Sequence, residues 1–381
     1  MRLMRIFTAS GIALMLAACA WNPFAERVDP RTQPAQLSPF QQTRQVKPVW
    51  SLSVGPSASY LFAPVASFDS IYAASAKGTI LRVDPQNGRE IWRIDARSAL
   101  TAGVGTDGHT VVVAAKDGVL LAFDSEGKKK WQAKLSTEAL SSPAVSADVV
   151  VVRTQDNRIY GFDTDTGERK WMVTRRLPPL TLHTISGAAI SGPTAVVALP
   201  GGRMISLLLS NGATNWDVVV GDPRGTTDLE RIADTSGVPA IMGRLVCAVS
   251  FQGRVACYDV VSGGIIWARE LSSAVGVSID SDFVYAASDA GAVYAFSNLG
   301  GHNAWRNDEL AYRGLTTPVS FLRSVVVGDF QGFVHFLSLN DGAFVARVAT
   351  DGSPIKAPPL VVHDKVILQT TGGRLAAFTF D

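Results

Sequence analysis

Residues 76–92 read AKGTILRVDPQNGREIW and contain the unit that recurs along this chain. A turn ending at Gly78 leads into an alternating apolar run. A second turn runs from Asp84 to Gly88, and Trp92 follows it. The same order of turn, strand, turn and aromatic residue returns along the chain, with the aromatic positions at Trp50, Trp92, Trp131, Trp171, Trp216, Trp267 and Trp305, followed by Ala346. The chain is therefore built from one repeated unit.

The repeat is about 42 residues long, which lies in the range of four-stranded propeller blades. Between the aromatic positions lie short runs rich in β-branched and aromatic residues, such as 70–75 and 149–153. Such runs are typical of strands and hairpins rather than of helical repeats. A single blade cannot bury both of its faces, so the copies must stack and close into a ring. The sequence predicts an all-β fold, an eight-bladed β-propeller of four-stranded antiparallel blades over residues 48–381.

The two ends of the repeated region predict how the ring closes. A last copy begins at Gly373 but stops before its aromatic position. Conversely, Trp50 lies in the run 48–54, which has no glycine turn before it. Together the two fragments make one complete blade. We therefore expect an N-terminal strand to complete the C-terminal blade.

Residues 1–18 have the features of a targeting segment. Arg2 and Arg5 precede an apolar core, and small residues lead to Cys19. The apolar run is too short for a membrane-spanning helix. The motif resembles a bacterial lipoprotein signal, which implies cleavage before Cys19 and acylation of that residue; the alternative is an ordinary signal peptide with a chance cysteine.

Residues 19–47 are predicted to connect the lipid anchor to the ring. The residue after Cys19 is Ala20 rather than Asp, which by resemblance to enterobacterial lipoproteins implies release to the outer membrane. The stretch is rich in proline and glutamine and lacks strand periodicity, so we expect an extended, semi-rigid tether. Acyl chains would hold the protein on the periplasmic face of the outer membrane.

Composition and motifs argue against catalysis and nucleic-acid binding. The formal net charge is +2, which gives no basic footprint for nucleic acid. The five histidines have no metal-ligand spacing, and the sequence contains no nucleophile elbow or phosphate-binding loop. The sequence therefore predicts a protein that is not an enzyme and uses no cofactor and no metal.

Two cysteines, Cys247 and Cys257, flank a hairpin turn around Gln252-Gly253. A two-residue turn would place the thiols on opposite faces, whereas a three-residue loop would pair them for a disulfide. The sequence leaves both arrangements open, and we expect buried free thiols.

Two adjacent repeats carry insertions. From each aromatic position to the next turn, the gaps after Trp171 and Trp216 are 31 and 37 residues, against 24 to 28 elsewhere. Insertions in repeat proteins map to loops that carry function. The first contains the apolar residues Leu177, Leu180 and Leu182; the second contains the charged residues Asp222, Asp228, Glu230, Arg231 and Asp234. An apolar centre beside a charged rim is typical of a protein-binding surface. The alternative is that the leucines pack beneath a long loop.

The block 160–171, YGFDTDTGERKW, resembles the tryptophan-docking repeat of pyrroloquinoline-quinone (PQQ) propellers. This makes a periplasmic PQQ-dependent quinoprotein-like dehydrogenase the alternative function. That superfamily carries an adjacent cysteine pair and a calcium–carboxylate site, and neither is evident here. The chain more closely resembles the BamB family, the lipoprotein propellers of the outer-membrane β-barrel assembly machinery. The resemblance rests on the lipobox, the eight repeats, the two insertions and the run TDLERIAD at 227–234.

The resemblance implies a scaffold that binds the periplasmic domains of BamA and other assembly-machinery subunits and supports folding and insertion of outer-membrane proteins. Nascent outer-membrane proteins, held at blade edges, are a further candidate partner. The partner-binding residues that it implies are Leu180, Leu182, His183, Glu230, Arg231, Asp234 and Ser236. His183 stands where the family typically has Arg, and Ser236 where a second Asp is common. These two departures leave room for a weaker or altered ionic contact.

Overall fold

The repeated units fold as antiparallel hairpins. The structure, a computed structural model, describes residues 32–182, 185–222, 225–227 and 229–381. The chain divides into two units, 1–34 and 35–381, and the fold below is that of the second. The predicted signal peptide and the predicted lipidation site Cys19 lie outside the described residues.

Each blade is a sheet of four strands. The chain enters with β1 (Val46–Ser53), which belongs to the last blade. Blade 1 contains β2 (Val65–Ser67), β3 (Ser70–Ala74), β4 (Thr79–Val83) and β5 (Glu90–Asp95). Blade 2 contains β6 (Leu100–Thr106), β7 (Thr110–Ala115), β8 (Val119–Asp124) and β9 (Lys129–Lys134), with a 3-10 turn at Lys116–Gly118. Blade 3 contains β10 (Ala144–Val145), β11 (Val149–Arg153), β12 (Arg158–Asp163) and β13 (Arg169–Thr174).

The remaining blades repeat this order. Blade 4 contains β14 (Ala188–Ser191), β15 (Thr194–Leu199), β16 (Arg203–Leu208) and β17 (Thr214–Val219). Blade 5 contains β18 (Thr235–Met242), β19 (Leu245–Ser250), β20 (Arg254–Asp259) and β21 (Ile265–Glu270). Blade 6 contains β22 (Val277–Ile279), β23 (Phe283–Ala287), β24 (Val293–Ser297) and β25 (Asn303–Asn307). Blade 7 contains β26 (Val319–Phe321), β27 (Ser324–Gly328), β28 (Phe333–Ser338) and β29 (Phe344–Ala349). Blade 8 contains β30 (Leu360–Val362), β31 (Lys365–Gln369), β32 (Arg374–Phe380) and β1.

The blades form a closed ring. The first strand of each blade contacts the first strand of the next, and β30 of blade 8 contacts β2 of blade 1. The first strands therefore surround the axis, and the fourth strands lie at the outside. The central strands are buried on both faces, as in β11, because each blade is covered by two neighbours. The predicted eight-bladed propeller is confirmed.

Blade 8 joins the two ends of the second unit. Its order is β1-β32-β31-β30, and β1 pairs antiparallel with β32 from Val46 opposite Phe380 to Ser53 opposite Arg374. The prediction that an N-terminal strand completes the C-terminal blade is confirmed. The strand begins at Val46, slightly before the predicted boundary at residue 48.

The repeated tryptophans join neighbouring blades. Each lies on a fourth strand and donates its indole N–H to a backbone carbonyl in the following blade, as Trp131 does to Thr164 at 2.9 Å. Its ring also covers the glycine of that blade's last turn, where a Cβ on Gly167 would lie 2.5 Å from the indole. Trp50 of blade 8 donates to Pro85 of blade 1 at 3.0 Å, which continues the pattern across the closure. The glycine is required both by its positive φ and by this close approach.

Ala346 replaces the tryptophan at the one junction where no turn exists to receive an indole. Blade 8 is built from two chain ends, so β32 and β1 are not joined by a turn. The space beside Ala346 is filled by aromatic side chains instead, because Phe380 stacks on Phe321 and packs edge-on against Phe336. The exception in the repeat is therefore a consequence of the closure.

Cys247 and Cys257 form a disulfide, so the expectation of free thiols is wrong. The hairpin has a three-residue loop between Ser250 and Arg254, which places the two cysteines directly opposite each other with their Cα atoms 4.1 Å apart. Both are fully buried in the core between blades 5 and 6. The disulfide follows from the three-residue loop, which is one of the two arrangements that the sequence left open.

The N-terminal segment, residues 35–45, packs against the ring. The sequence assigned this stretch to an extended tether, but Ala35 donates its backbone N–H to Ala311 at 2.8 Å. The ring of Phe40 stacks on Phe344 at 5.1 Å between centroids. The physical reason is burial of apolar surface, since this part of the proline-rich stretch carries side chains that the outer strand of blade 7 can cover.

Candidate partner-binding surface

The two insertions form neighbouring loops. The first loop, residues 175–187, connects β13 to β14, and the second loop, residues 220–234, connects β17 to β18. His183 and Asp228, which the sequence placed in these loops, lie outside the described residues.

Asp234 joins the two loops. Its carboxylate accepts the backbone N–H of Leu182 at 2.7 Å and that of Gly201 at 3.0 Å. The side chain is only 1% exposed, so it is not accessible to a partner. The sequence placed Asp234 among the partner contacts, but the structure assigns its carboxylate to holding the first loop. A buried carboxylate is stable when its hydrogen-bonding capacity is used in this way.

Main-chain pairing strengthens this connection. Gly237 donates its N–H to Ile185 at 2.8 Å, and Gly187 donates to Gly237 at 2.9 Å, which forms a parallel bridge between the end of the first loop and β18. Ser236, the other residue that the sequence placed at the surface, is also buried beside this bridge. Both of these polar side chains therefore belong to the support of the loops.

Arg153, at the end of β11, supports the first loop from blade 3. Its guanidinium donates to the carbonyl oxygen of Ser186 at 3.2 and 3.3 Å. Burial lowers the pKa of Arg153 to about 10, and the nearby charge of Asp234 opposes that shift. The arginine is still protonated at neutral pH, so the first loop is held by a buried cation on one side and a buried anion on the other. No signal in the sequence marked Arg153 for this role.

The leucines of the first loop face solvent. Leu177, Leu180 and Leu182, here called the leucine patch, are between 40% and 44% exposed. This does not agree with the alternative that they pack beneath the loop. A groove of about 430 Å³ runs beside the patch, lined by Arg176, Leu177, Pro178, Pro179, Leu180, Pro200, Gly201, Arg203, Arg231 and Ala233. An exposed apolar patch rimmed by polar residues is a feature of protein-binding sites.

The charges around the groove are positive. Arg176, Arg203 and Arg231, here called the arginine rim, line it, and the described residues of its lining include no carboxylate. Glu230 is close by, but its carboxylate accepts the backbone N–H groups of Thr226 and Thr227 at 2.8 and 3.1 Å. These hydrogen bonds lower the pKa of Glu230 and commit its charge to the second loop. The surface is thus apolar and cationic, whereas the sequence suggested an acidic contribution.

The central channel is a second concave site. It has a volume of about 660 Å³ and is lined by first strands and by the segments that lead into them, with residues such as Val238, Ile241, Val275 and Leu315. Lys356 is the one charged residue among the described residues that line it. Calcium requires several oxygen ligands, usually including carboxylates. The lining does not supply that donor set, so it does not fit the calcium–PQQ pair of the quinoproteins.

The described residues include neither a metal-binding cluster nor a membrane-spanning helix. Over the described ranges, no group of three or more His, Cys, Asp and Glu side chains is arranged to hold a metal ion. Within the same part of the chain, no helix has the length and apolar character needed to cross a bilayer.

Comparison with known proteins identifies the family. A family model described as outer membrane protein assembly factor BamB matches residues 76–307. A protein of that name from Burkholderia pseudomallei is 38% identical over 96% of this chain and 95% of its own length. The chain belongs to the BamB family. The crystal structure of BamB from Moraxella catarrhalis superposes with a TM-score of 0.79 at 27% identity, covering 88% of this chain and 100% of that one.

Quinoproteins share only the architecture with this BamB-family chain. The quinohemoprotein alcohol dehydrogenase from Comamonas testosteroni superposes with a TM-score of 0.69, covering 89% of this chain and 77% of its own, at 14% identity. A likeness at that identity reflects the propeller fold alone. The resemblance to the BamB family that the sequence indicated is confirmed.

Proposed function

We propose that this protein is a non-enzymatic scaffold of outer-membrane β-barrel assembly, which binds the periplasmic domains of BamA through the leucine patch and the arginine rim. In this role it also contacts other assembly-machinery subunits and supports folding and insertion of outer-membrane proteins. The relatives support this role, since each is named an outer membrane protein assembly factor. The proposal requires no cofactor and no metal.

The exposure of the leucine patch beside an anchored backbone carries the proposal. Exposed leucines on a mobile loop would lose conformational entropy on binding, which reduces affinity. Here the backbone of Leu182 is bonded to Asp234, and the end of the first loop is bonded to β18 and to Arg153. Part of the entropy cost at Leu182 is therefore met before a partner arrives.

The arginine rim specifies the chemistry of the partner surface. Arg176 and Arg231 are exposed beside the groove, and Arg203 forms an ion pair with Asp217 at 2.8 Å. Electrostatic complementarity then favours a partner surface with an apolar centre and carboxylates at its edge. We expect such a surface on the periplasmic domains of BamA.

The lipid anchor at Cys19 would retain the protein on the periplasmic face of the outer membrane. Because stable anchoring depends on the acyl chains, Cys19→Ser should move the protein from the outer-membrane fraction to the soluble periplasmic fraction. Fractionation followed by immunoblotting measures this directly. Retention of the variant in the membrane fraction would count against the anchor.

Binding to purified periplasmic domains of BamA tests the docking surface. We expect Leu180→Asp combined with Leu182→Asp to raise the Kd about tenfold or more, because two apolar contacts at the centre of an interface are replaced by charges. Titration calorimetry gives the Kd and the stoichiometry.

Leu322→Asp is the matched control. Leu322 has an exposure close to that of the leucine patch but lies in the turn between β26 and β27. Its substitution should leave the Kd unchanged. Equal affinity of the double variant and the control would rule out the leucine patch as the docking site.

A further inference from the structure

The outer edges of the blades differ in how they are protected. In every blade the two residues before the aromatic position lie at a β-bulge on the fourth strand. Blades 1 to 4 and blade 6 carry at least one charged or polar side chain there, and blade 8 carries a proline. In the order of blades 1, 2, 3, 4, 6 and 8, the pairs are Glu90 and Ile91, Lys129 and Lys130, Arg169 and Lys170, Thr214 and Asn215, Asn303 and Ala304, and Pro48 and Val49. Charges and prolines on an edge strand prevent unwanted strand pairing.

Blade 5 lacks this protection. Its two residues are Ile265 and Ile266, which are 55% and 46% exposed. Leu299 of blade 6 is exposed in the groove beside Ile266, and Val261, in the turn before β21, is exposed as well. A groove of about 540 Å³ beside Ile266 is lined half by apolar residues of blades 5 and 6, including Leu245, and half by polar ones, including Arg244 and Asp282. The edge of β21 is therefore an apolar surface next to a groove.

Blade 7 has the other unprotected apolar pair, and in that blade the pair is covered. Its two residues are Phe344 and Val345, which occupy the positions of Ile265 and Ile266. The N-terminal segment lies over them: Phe40 stacks on Phe344 at 5.1 Å between ring centroids. The backbone N–H of Thr43 donates to the carbonyl oxygen of Val345 at 3.0 Å, and Val345 is only 9% exposed.

We propose that the outer edge of blade 5 binds an extended apolar segment of a partner polypeptide, in the way that blade 7 binds the N-terminal segment. An apolar side chain of the partner would cover Ile265 and Ile266, and a partner N–H would bond to the bulge carbonyl of Ile266. Main-chain bonds supply affinity and side-chain pockets supply selectivity in such complexes. The edge is separate from the leucine patch, so its failure would leave the docking proposal intact.

A pair of lysine substitutions tests the edge. Ile265→Lys with Ile266→Lys gives blade 5 the residues that blade 2 carries as Lys129 and Lys130, so the fold is expected to tolerate them. Ile91→Lys in blade 1, at an isoleucine that is 41% exposed and lies at the equivalent bulge, serves as the control. The probe is a fluorescein-labelled decapeptide that alternates Thr with Val and carries one central Phe.

We expect the probe to bind the unaltered protein and the blade 1 control saturably in fluorescence anisotropy. The Kd should rise about tenfold or more in the blade 5 variant, because the two isoleucines that the bound probe would cover are lost. Hydrogen exchange should slow on binding in residues 261–270. A second variant, Leu299→Lys, should weaken binding as well, so the test does not depend on the lysine pair alone. Thermal unfolding shows whether each variant is folded.

Several results would overturn the proposal. These are the absence of saturable binding by the unaltered protein, equal affinity in all variants, and protection located away from 261–270. A fourth contradicting result would be a concentration-dependent dimer, measured by sedimentation, that the lysine pair abolishes. In that case a second copy of the chain would occupy the edge of blade 5.

Discussion

The carboxylate of Asp234 accepts the backbone N–H of Leu182 at 2.7 Å, so a buried residue of the second loop sets the position of an exposed leucine in the first. The two insertions therefore act as one unit. The Asp234 carboxylate supports the surface without being presented on it.

Removing this carboxylate should loosen the first loop. Asp234→Ala leaves the N–H groups of Leu182 and Gly201 without their acceptor, and we expect a loss of roughly 1–3 kcal/mol in the free energy of unfolding. Hydrogen exchange in residues 180–187 should accelerate. Urea denaturation measures the first effect, and Asp222→Ala, at an exposed residue of the same loop, should change it little.

The junction between blades 7 and 8 should reject a tryptophan. Ala346 is fully buried among the aromatic side chains that replace the missing turn. Ala346→Trp would overpack this site and should reduce the free energy of unfolding by about 1–3 kcal/mol or more. A stabilised variant in thermal unfolding would show that the site holds unused space.

The opposite substitution should be costly elsewhere in the ring. Trp131→Ala removes both the ring that covers Gly167 and the bond to Thr164, and about 3–5 kcal/mol should be lost. Chemical denaturation compares the two substitutions on one scale. If both proved harmless, the repeated tryptophan could not be what joins the blades.

The disulfide should be measurable without reduction. Under denaturing, non-reducing conditions, peptide mass spectrometry should find Cys247 and Cys257 linked. Because the bond closes a short loop, replacing both cysteines by alanine should lower the free energy of unfolding by roughly 2–3 kcal/mol. Labelling of both residues by iodoacetamide in unreduced, denatured protein would contradict the pairing.

His335 lies in a buried charged network on blade 7. Its Nε2 is 3.0 Å from the Asp329 carboxylate, and its Nδ1 accepts from Arg347 at 3.1 Å. Arg313 donates to the same carboxylate at 2.8 Å. Burial lowers the pKa of His335; Asp329 opposes this, and the two arginines add to it. The imidazole is therefore neutral in the folded protein at neutral pH.

This arrangement gives stability a defined dependence on pH. The unfolded chain takes up a proton on His335 near pH 6.5, whereas the folded protein does so only at lower pH. The contribution of neutral His335 to the free energy of unfolding is thus present above pH 6.5 and is lost as pH falls through the lowered pKa of the folded protein. Urea denaturation at pH 7.5 and pH 5.5 should show lower stability in acid.

Glutamine at position 335 can keep both hydrogen bonds but does not titrate. The decrease in stability between the two pH values should therefore be smaller in His335→Gln. His109→Gln, at an exposed histidine, is the control and should retain the full decrease. An unchanged pH dependence in His335→Gln would assign the effect to another group.

The fold could be predicted because its signals are local and repeated. The spacing from Gly78 to Trp92 reports a turn, a strand and a contact with the next blade, and its recurrence with small variations before five further tryptophans allows few other folds. Closure could be predicted as well, because each end of the repeated region carries part of one blade.

The candidate site could be located but not described from the sequence. Insertion length after Trp171 and Trp216 identified the loops, yet the burial of Asp234 depends on where Leu182 and Gly201 meet in space. The packing of residues 35–45 was missed for a similar reason. Phe40 was the available signal, since an aromatic residue is unusual in a free tether.

Blade 8 has a consequence for biosynthesis. Its fourth strand is made first and its other three are made last, so the ring stays open until the final hairpin reaches Val46. Pairing between such distant strands is slow, and the unclosed intermediate exposes the faces of blades 1 and 7 to other chains. Newly synthesised molecules should accordingly depend most on protection against aggregation in the interval just before the ends meet.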